Sequence, residues 1–574
     1  MDLFHLFRSF LPLRNPIGFG ASDFVELALA AVLVFFAVVS RTWIEPLARR
    51  LAERTGWSML LLAALPAALR LALLPQYPIP SAGVSDDFSY LLLADTLRHF
   101  RLANSMHPFH QFFETFFVLQ EPTYSSIFPL GQGQALAIGW TIFGHPWAGV
   151  ALSVGAFCAL CYWMLRAWTT PAWALVGGLL AVIQFGPLNQ WMNSYWGGAV
   201  SAIAGCLVFG SLPRLLERGA RRDAALLGLG FGLQLLTRPF ESIFLVLSAI
   251  LLLIPAMRDR AKVLRLARAT AIVALAAAPA VALMLAQNRA VTGSWSTMPY
   301  MLSRDQYGVP ATFTVQPNPV PHRPLTHEQE LDFEAQSAVH GDGTDTFSSY
   351  WARFASRVRF YRFFLLAPLY LAIPFFFARL GEFRFAWIIV ALLLFALGTN
   401  FYPYFYSHYI AAVACLFVLI GVAGLERLSR FTGGGRFAGS DATRLILLLC
   451  GAHFLFWYGV HASRDEEVIR EMTQYETWDA INHGDPEGRI AINRRLAESP
   501  GKQLVFVRYW PQHQFAEWVH NAADIDAARV IWARDLGAQE NEKLRRYYPT
   551  RTAWLLEPDF RPPRLSPYPA AANP

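Results

Sequence analysis

The chain has 574 residues, of which 55% are hydrophobic and only 16% are charged. Because a soluble core cannot bury that much apolar surface, the composition predicts a polytopic membrane protein and excludes an ordinary soluble enzyme. The 48 Lys and Arg residues outnumber the 41 Asp and Glu residues, but the excess falls mainly between hydrophobic segments, which favours membrane topology over nucleic-acid binding. All five cysteines lie in or beside apolar runs, so they predict no disulfide framework.

Twelve apolar runs have about the length that a bilayer requires, and they predict a mainly α-helical bundle of about 12–13 transmembrane helices. The runs are 22–41, 57–75, 147–166, 171–187, 199–215, 223–237, 240–257, 269–287, 359–379, 385–400, 407–425 and 444–461. Residues 1–20 are predicted to lie on the membrane surface.

Arginine-rich connections between these runs alternate consistently, and they are predicted to be cytoplasmic. They contain Arg41, Arg49, Arg50 and Arg54, then Arg214, Arg218, Arg221 and Arg222, then Arg258, Arg260, Lys262, Arg265 and Arg268, and finally Arg427, Arg430 and Arg436. The outer loops 76–146 and 288–357, together with everything after residue 461, then face the other side. The chain is therefore expected in the inner (cytoplasmic) membrane, with its functional side extracytoplasmic, that is, periplasmic.

The stretch 83–102 is polar where its surroundings are apolar. Ser85 is predicted to cap a helix that has Asp86 and Asp87 in its first turn. The apolar face of this amphipathic surface helix consists of Leu93, Leu97 and Phe100. Because a helix N-terminus favours carboxylates, both aspartates are predicted to stay ionised and able to accept protons or bind a cation. The alternative is that the pair only caps the helix.

Two further segments belong to the same side. The moderately apolar stretch 127–143 is predicted to be a re-entrant or surface helix, because it contains Pro129 and glycines near its start. The loop 288–357 is rich in proline around 317–324 and too long for a plain connector. Such a loop predicts a site cover or a binding loop.

Few ionisable residues are predicted to face the extracytoplasmic side, and they are the candidates for chemistry. Arg238 ends an apolar helix directly before Pro239. Its planar guanidinium suits a phosphate or pyrophosphate, and the alternative is that it reaches toward lipid headgroups. His408 opens a predicted span, where it would orient a lipid phosphate or a sugar hydroxyl, or serve only as an interfacial anchor.

Three side chains, His107, His110 and Glu114, have the spacing of metal ligands on one helix face. Their aromatic surroundings and Pro108 favour the alternative of interfacial packing. From about residue 462 the apolar runs shorten to strand length, at 504–509, 530–533 and 552–556, with a charged helical stretch at 538–547. Residues 1–461 are thus predicted to form the transmembrane domain, and residues 462–574 a small soluble extracytoplasmic α/β domain.

A series of motifs resembles the polytopic glycosyltransferases of the GT-C class, in particular the bacterial branch around aminoarabinose and mannosyl transferases. The motifs are SDDFSYLLLADTLRHFRL at 85–102, EPTYSSIFPLGQG at 121–133, IFGHPW at 142–147, MNSYWGG at 192–198, LTRPFE at 236–241, QYGVP at 306–310 and SHY at 407–409. The resemblance covers most of residues 57–460 in order, and it looks particularly like bacterial members with a C-terminal soluble domain.

The resemblance implies that a sugar moves from a polyprenyl-phosphate donor to an acceptor on the extracytoplasmic side. It implies Asp86 and Asp87 as the catalytic pair, with Asp86 as the base and Asp87 in the position that is more often Glu. With one carboxylate on the attacking face, the expected mechanism is an inverting single displacement. The family's phosphate-holding lysine would fall near 124–129, where no lysine stands. The donor phosphate is therefore assigned to Arg238 as the first choice, and to Arg289 and His408 as the next candidates.

The expected partners are the polyprenyl-phosphate sugar donor, membrane lipids and an acceptor that is a lipid, a polysaccharide or a protein; no nucleic acid is expected. No cofactor is predicted, and a role for a divalent metal ion is left open. One alternative function is a lipid-linked sugar transporter or flippase, which should show inverted repeats with broken helices. Another is a noncatalytic assembly or sensor protein.

Overall fold

The computed structural model describes residues 21–341, 343–432, 439–463, 488–514 and 516–569. The predicted surface segment 1–20 lies outside these residues. The described chain is mainly α-helical, with a small sheet in the first outer loop and a four-stranded sheet near the C-terminus. The predicted fold class, a transmembrane helical bundle with a small C-terminal α/β unit, is confirmed.

The helices of the first half include much of the bundle and the helix with the acidic pair. They are α1 (Ala21–Glu53), α2 (Thr55–Ala72), α3 (Ser85–Arg98), α4 (Leu130–Phe143), α5 (Pro146–Leu165), α6 (Pro171–Phe185), α7 (Ala199–Arg218), α8 (Arg221–Thr237), α9 (Pro239–Leu253) and α10 (Arg260–Thr292). A single helical turn, Gln190–Asn193, precedes α7.

The helices of the second half include three in the outer loop 288–357. They are α11 (Pro299–Tyr307), α12 (His327–His340), α13 (Phe347–Arg357), α14 (Phe383–Thr399), α15 (Ala414–Ser429), α16 (Gly439–Ser463), α17 (Arg489–Glu498) and α18 (Ala538–Tyr547). Shorter helical segments lie at Ile254–Arg258, Val358–Phe364, Ala367–Ala372, Ile373–Phe377 and Ser407–Val413.

Within the described residues, seven helices are long and apolar enough to cross a membrane, or up to nine if each of two bent pairs is one span. The predicted spans at 171–187 and 385–400 correspond to the shorter apolar helices α6 and α14. The predicted span at 223–237 corresponds to α8. All twelve predicted spans therefore fall on helical stretches, although several are shorter than a straight crossing requires.

The central helix of the bundle is α5, which packs against α2, α4, α6 and α7. It is apolar on all sides, as a helix surrounded by protein requires. Contact with α4 is close enough to need a glycine: a Cβ on Gly149 would lie 2.0 Å from the carbonyl oxygen of Ala135. At 14 residues, α4 is only about 21 Å long and too short to cross. Its length supports the prediction that 127–143 stays on one side.

The C-terminal sheet has four strands. Its strands are β4 (Gln503–Val507), β5 (Val530–Arg534), β6 (Thr552–Glu557) and β7 (Arg564–Pro567). Strand β4 pairs in parallel with β5 and β6, and β7 is antiparallel to β6. The first three strands and α18 were predicted from the sequence and are confirmed, whereas β7 was not predicted.

This sheet shares one hydrophobic core with the first outer loop. The outer loop has its own small sheet of β1 (Asn104–Ser105), β2 (Val118–Leu119) and β3 (Thr123–Ser126). Leu92 of α3 and Phe112 lie in the same buried cluster as Phe506 and Ile531 of the C-terminal sheet. Asp95 of α3 also accepts a 2.8 Å hydrogen bond from the backbone N–H of Ala523. The sheet is thus fixed directly to the helix that carries the acidic pair.

A polar contact joins the C-terminal sheet to the second outer loop. Arg534 pairs with Glu328 of α12 and donates to the hydroxyl of Thr326 at 3.0 Å. Both charged side chains are only 13% exposed, so a mismatch there would leave a charge poorly solvated. We expect Arg534→Glu to lower the free energy of unfolding by about 2 kcal/mol.

The matched control for this prediction is the exchange of both charges. The double variant Arg534→Glu, Glu328→Arg should recover most of the lost melting temperature in detergent, because the pair is restored with reversed polarity. The single variant Glu328→Arg is measured as well. If the losses of melting temperature in Arg534→Glu and Glu328→Arg simply add in the double variant, the contact between Arg534 and Glu328 does not hold the loop to the sheet.

Candidate active site

The acidic pair lies in the first turn of α3, as predicted. The residue before the helix is Val84, so Ser85 is its first helical residue rather than its cap. Leu93 is buried, but Phe100 lies beyond the end of the helix and is fully exposed. The predicted apolar face therefore stops before Phe100, because the helix ends at Arg98.

Asp87 is bonded to the protein backbone. One carboxylate oxygen accepts the N–H of Tyr195 at 2.9 Å, and the other accepts the N–H of Gly83 at 3.3 Å. Burial raises the pKa of Asp87 to about 6, although these backbone N–H groups lower it. Asp87 therefore ties the start of α3 to the segment 192–198, which is one of the motifs singled out above.

Asp86 lies beside it but lines a cavity of about 190 Å³. Residues from α3, the start of α4, the α8–α9 junction, the outer loop 288–357 and the segment 399–409 surround this space. The lining residues are Asp86, Tyr90, Phe117, Ile127, Phe128, Pro129, Thr237, Arg238, Pro239, Phe240, Glu241, Tyr300, Arg304, Pro310, Phe313, Thr399, Tyr402 and Tyr409. The outer loops 76–146 and 288–357, which the sequence analysis placed on the functional side, thus meet Arg238 around one cavity.

Arg238 is the cation predicted for this cavity, and it does line it. It sits between α8 and α9, where Pro239 begins the second helix. Its guanidinium carbon lies 4.3 Å from the centre of the Tyr409 ring, and one Nη atom is 3.7 Å from a carboxylate oxygen of Glu241. The ring and the acid hold the guanidinium at the helix break, where its charge also reaches Asp86.

Arg304 of α11 is a second cation on the cavity wall, and the sequence analysis did not single it out. Its Nε donates to the carbonyl of Pro310 and one Nη donates to that of Ala311, both at 3.0 Å. These bonds pin the guanidinium against its own loop. The only sequence signal for it is its place two residues before the QYGVP motif at 306–310.

The other two residues assigned to the donor phosphate do not line the cavity. Arg289 is exposed near the end of α10, where it donates to the carbonyl of Gly293. His408 is buried, and its ring stacks 4.8 Å from that of Tyr409, the ring under Arg238. The structure brings Asp86 and Arg238 together, places His408 behind Tyr409, and leaves Arg289 apart from them.

The environment of Asp86 corrects one prediction. Burial, together with the negative charge of Asp87, raises the pKa of Asp86 to about 7, against the opposing charge of Arg238. The expectation that both aspartates stay ionised is therefore wrong for Asp86 below about pH 7. Sequence alone places this carboxylate at a helix N-terminus, but the loops folded over it remove the water that would have kept it charged.

This chain is similar to ArnT from Cupriavidus metallidurans. In its apo state ArnT is 11% identical, with 88% of this chain and 93% of that chain covered and a TM-score of 0.48. For ArnT bound to undecaprenyl phosphate, the identity is 10% over the same shares of the two chains, with a TM-score of 0.46. The chain is also similar to the Archaeoglobus fulgidus oligosaccharyltransferase, with 11% identity, 87% and 68% coverage and a TM-score of 0.43.

No protein-family model matches the chain, and no curated protein matches it. Each of these matches is a likeness to a solved structure. At these identities and TM-scores it assigns no role to any residue here. The roles proposed below come from the cavity itself.

The residues with metal-ligand spacing contact other partners. His107 is 2.9 Å from the hydroxyl of Tyr548, and Glu114 pairs with Arg323 at 2.6 Å. His110 lies 3.5 Å from a carboxylate oxygen of Glu121. Within the described ranges, no group of three or more His, Cys, Asp or Glu side chains is arranged to hold a metal ion.

The backbone contacts of Asp87 predict a role in stability. In Asp87→Ala, the N–H groups of Tyr195 and Gly83 lose their acceptor, and the buried one at Tyr195 should cost about 1–3 kcal/mol of unfolding free energy. Thermal unfolding in detergent measures the loss. A variant that unfolds like the wild type would contradict this role of Asp87 in stability.

Proposed function

We propose that this protein is a membrane glycosyltransferase that moves a sugar from a polyprenyl-phosphate donor to an acceptor on the extracytoplasmic side. The observation that carries the proposal is that Asp86 and two arginines, Arg238 and Arg304, line one cavity. A carboxylate able to take a proton and cations able to receive a phosphate are the two requirements of such a transfer.

In the proposed reaction, Asp86 accepts the proton of the acceptor hydroxyl or amine as that atom attacks the anomeric carbon of the sugar. The bond between the anomeric carbon and the phosphate oxygen breaks, and the lipid phosphate leaves with the electron pair. Arg238 and Arg304 stabilise the negative charge that develops on the phosphate. Because one carboxylate acts in a single displacement, the anomeric configuration inverts.

The rest of the cavity wall suits a lipid-linked sugar. Its aromatic side chains include Tyr90 and Phe128, whose rings stack 4.3 Å apart. Tyr300 and Arg304 come from the loop 288–357, so this loop covers the cavity as a binding loop would. Covering the site excludes water, which limits hydrolysis of the donor and strengthens the charge interactions inside.

We also propose the orientation and the domain division expected from the sequence. On the basis of the arginine-rich connections, we propose that the ends of α7 and α15 lie on the cytoplasmic side of the inner membrane and the cavity on the periplasmic side. Residues 1–461 form the transferase domain, and residues 462–574 form an extracytoplasmic domain. Contacts of the C-terminal sheet with α3 and α12 support its place on the same side as Asp86.

Incubation of purified protein in detergent with a panel of labelled polyprenyl-phosphate sugars tests this function. We expect consumption of at least one donor without any gradient, and the label in lipid, polysaccharide or protein fractions identifies the acceptor. Movement of intact donor across vesicles without consumption would contradict the proposal and favour the transporter.

The raised pKa of Asp86 predicts how transfer depends on pH. A base acts only when it is deprotonated, so activity should be present above a pKa of about 7 and be lost as pH falls below it. We expect kcat/KM to fall about tenfold for each unit of pH below this pKa. A profile that is flat between about pH 5 and 8 would remove Asp86 from the proton transfer.

A further inference from the structure

A second cavity, of about 390 Å³, lies at the other end of the bundle. The helix α5 links the two ends: near its start, Trp147 donates to the carbonyl of Met192, close to the segment that binds Asp87. Its last residue, Leu165, is followed by Arg166, which lines the second cavity. Twenty residues of helix separate the two ends by about 30 Å.

Arginine dominates the lining of this second cavity. The charged lining residues are Arg166, Arg214, Arg218, Arg379, Arg384, Arg430, Glu217 and Glu426. Six arginines against two glutamates leave an excess of four positive charges when all eight are ionised. Glu382, beside the cavity, balances one of these charges through its contacts with Arg379 and Arg384.

The existing contacts hold several guanidiniums in place without neutralising them all. Arg214 donates to the carbonyls of Gly210 and Trp163, both at 2.6 Å, and stacks on the Trp163 ring. Glu426 binds Arg379 at 3.1 Å and Arg430 at 2.6 Å. Within the described part of the chain, Arg166, Arg214 and Arg218 form no ion pair within 4.0 Å, although the negative charge of Asp223 also acts on Arg214. Pre-positioned guanidiniums with unbalanced charge match the oxygen atoms of a phosphate.

Two neighbouring features extend this positive region. Thr170, the residue before α6, also lines the cavity and its side chain forms no capping bond, so the first N–H groups of α6 add positive potential. Arg218 is shared with an adjoining cavity lined by four more arginines: Arg221, Arg222, Arg265 and Arg268. Two adjoining arginine-lined spaces suit an anion with two phosphate groups.

We infer that this arginine cavity binds a phosphate-bearing anion, either the headgroup of an anionic phospholipid in the same leaflet or a free diphosphate. Its volume falls within the usual range of small-ligand sites, about 300–1,000 Å³. Basic pockets between transmembrane helices on the cytoplasmic side are suited to lipid headgroups that carry two phosphates. The inference stands apart from the proposed transferase function, because it concerns the opposite end of the molecule.

The test uses the full-length protein, purified in detergent and stripped of lipid. Native mass spectrometry measures retention of cardiolipin against phosphatidylcholine, and calorimetry measures binding of inorganic pyrophosphate. The test variant is Arg218→Gln, Arg384→Gln, since both side chains are partly or fully exposed and their loss should not unfold the bundle. The matched control is Arg258→Gln, Arg260→Gln, two exposed arginines of the same face outside both cavities.

We expect the wild type to retain cardiolipin over phosphatidylcholine, the test variant to lose at least about tenfold in affinity, and the control to bind like the wild type. Pyrophosphate binding with the same pattern, without preference for cardiolipin, would also support the site and identify a soluble ligand. Equal losses in the test and control variants, or no binding of either probe by the wild type, would overturn the inference. Melting temperatures confirm that each variant is folded. If the test variant Arg218→Gln, Arg384→Gln is not folded, the single variant Arg218→Gln replaces it.

Discussion

Asp86→Asn is expected to reduce kcat/KM for sugar transfer by about 10²–10⁴. The substitution keeps the shape of the side chain and its ability to accept a hydrogen bond, but an amide cannot take the proton of the acceptor. Asp86 lines the cavity and its carboxylate lies within the field of Arg238. Transfer should therefore fall while donor binding and the melting temperature stay near wild-type values, because the removed group acts on the acceptor.

The matched control for Asp86→Asn is Asp305→Asn. Asp305 lies on α11 next to Arg304, but its side chain is 65% exposed and contacts His322. This variant should transfer sugar at the wild-type rate. An unchanged rate in Asp86→Asn would refute the assigned base, and an equal loss in the two variants would show that general loss of charge near the cavity is responsible.

Arg238→Gln is the second variant with a large expected effect, a loss of about 10²–10³ in kcat. The guanidinium is expected to act on the phosphate as it leaves, so its removal should affect the chemical step more than the binding of the donor. The kcat of Arg238→Lys should lie between that of the wild type and that of Arg238→Gln, since a lysine keeps the charge but not the planar pair of donors. Removing the positive charge should also raise the pKa of Asp86 further, so the acidic limb of the pH profile should move to higher pH.

Arg289→Gln is the matched control for the arginine. The sequence predicted both arginines for the donor phosphate, but Arg289 is exposed and bonded to the carbonyl of Gly293 at the end of α10. We expect little change in kcat for Arg289→Gln. If it loses as much activity as Arg238→Gln, the donor phosphate does not bind in the cavity that Asp86 lines.

The parts of the fold that the sequence predicted are those with a local signal. The charged stretch 538–547 forms α18 with the predicted bounds, and the apolar runs of 504–509 and 552–556 form β4 and β6. Strand β7, at Arg564–Pro567, lacks such a run and was missed. It forms because β6 offers an edge for pairing, which is a tertiary property and leaves no pattern in the strand itself.

The candidate site was predictable only in part, for the same reason. Asp86 and Arg238 stood out because each interrupts or follows an apolar segment. Arg304 lies in a long loop without periodicity, and its place on the cavity wall depends on how that loop folds back over α3 and α9. The raised pKa of Asp86 also depends on this loop, which covers the carboxylate. Neither the place of Arg304 nor the pKa of Asp86 could therefore be derived from local sequence.

The most direct measurement is a single turnover with donor already bound to the enzyme. Wild-type protein and Asp86→Asn are each loaded with a labelled polyprenyl-phosphate sugar at pH 8, and release of the lipid phosphate is followed after acceptor is added. We expect both proteins to bind the donor, and only the wild type to release lipid phosphate and form the glycosidic bond. Release by Asp86→Asn at the wild-type rate would contradict transfer by Asp86 as the base facing a phosphate-binding arginine, and so would failure of the wild type to bind any such donor.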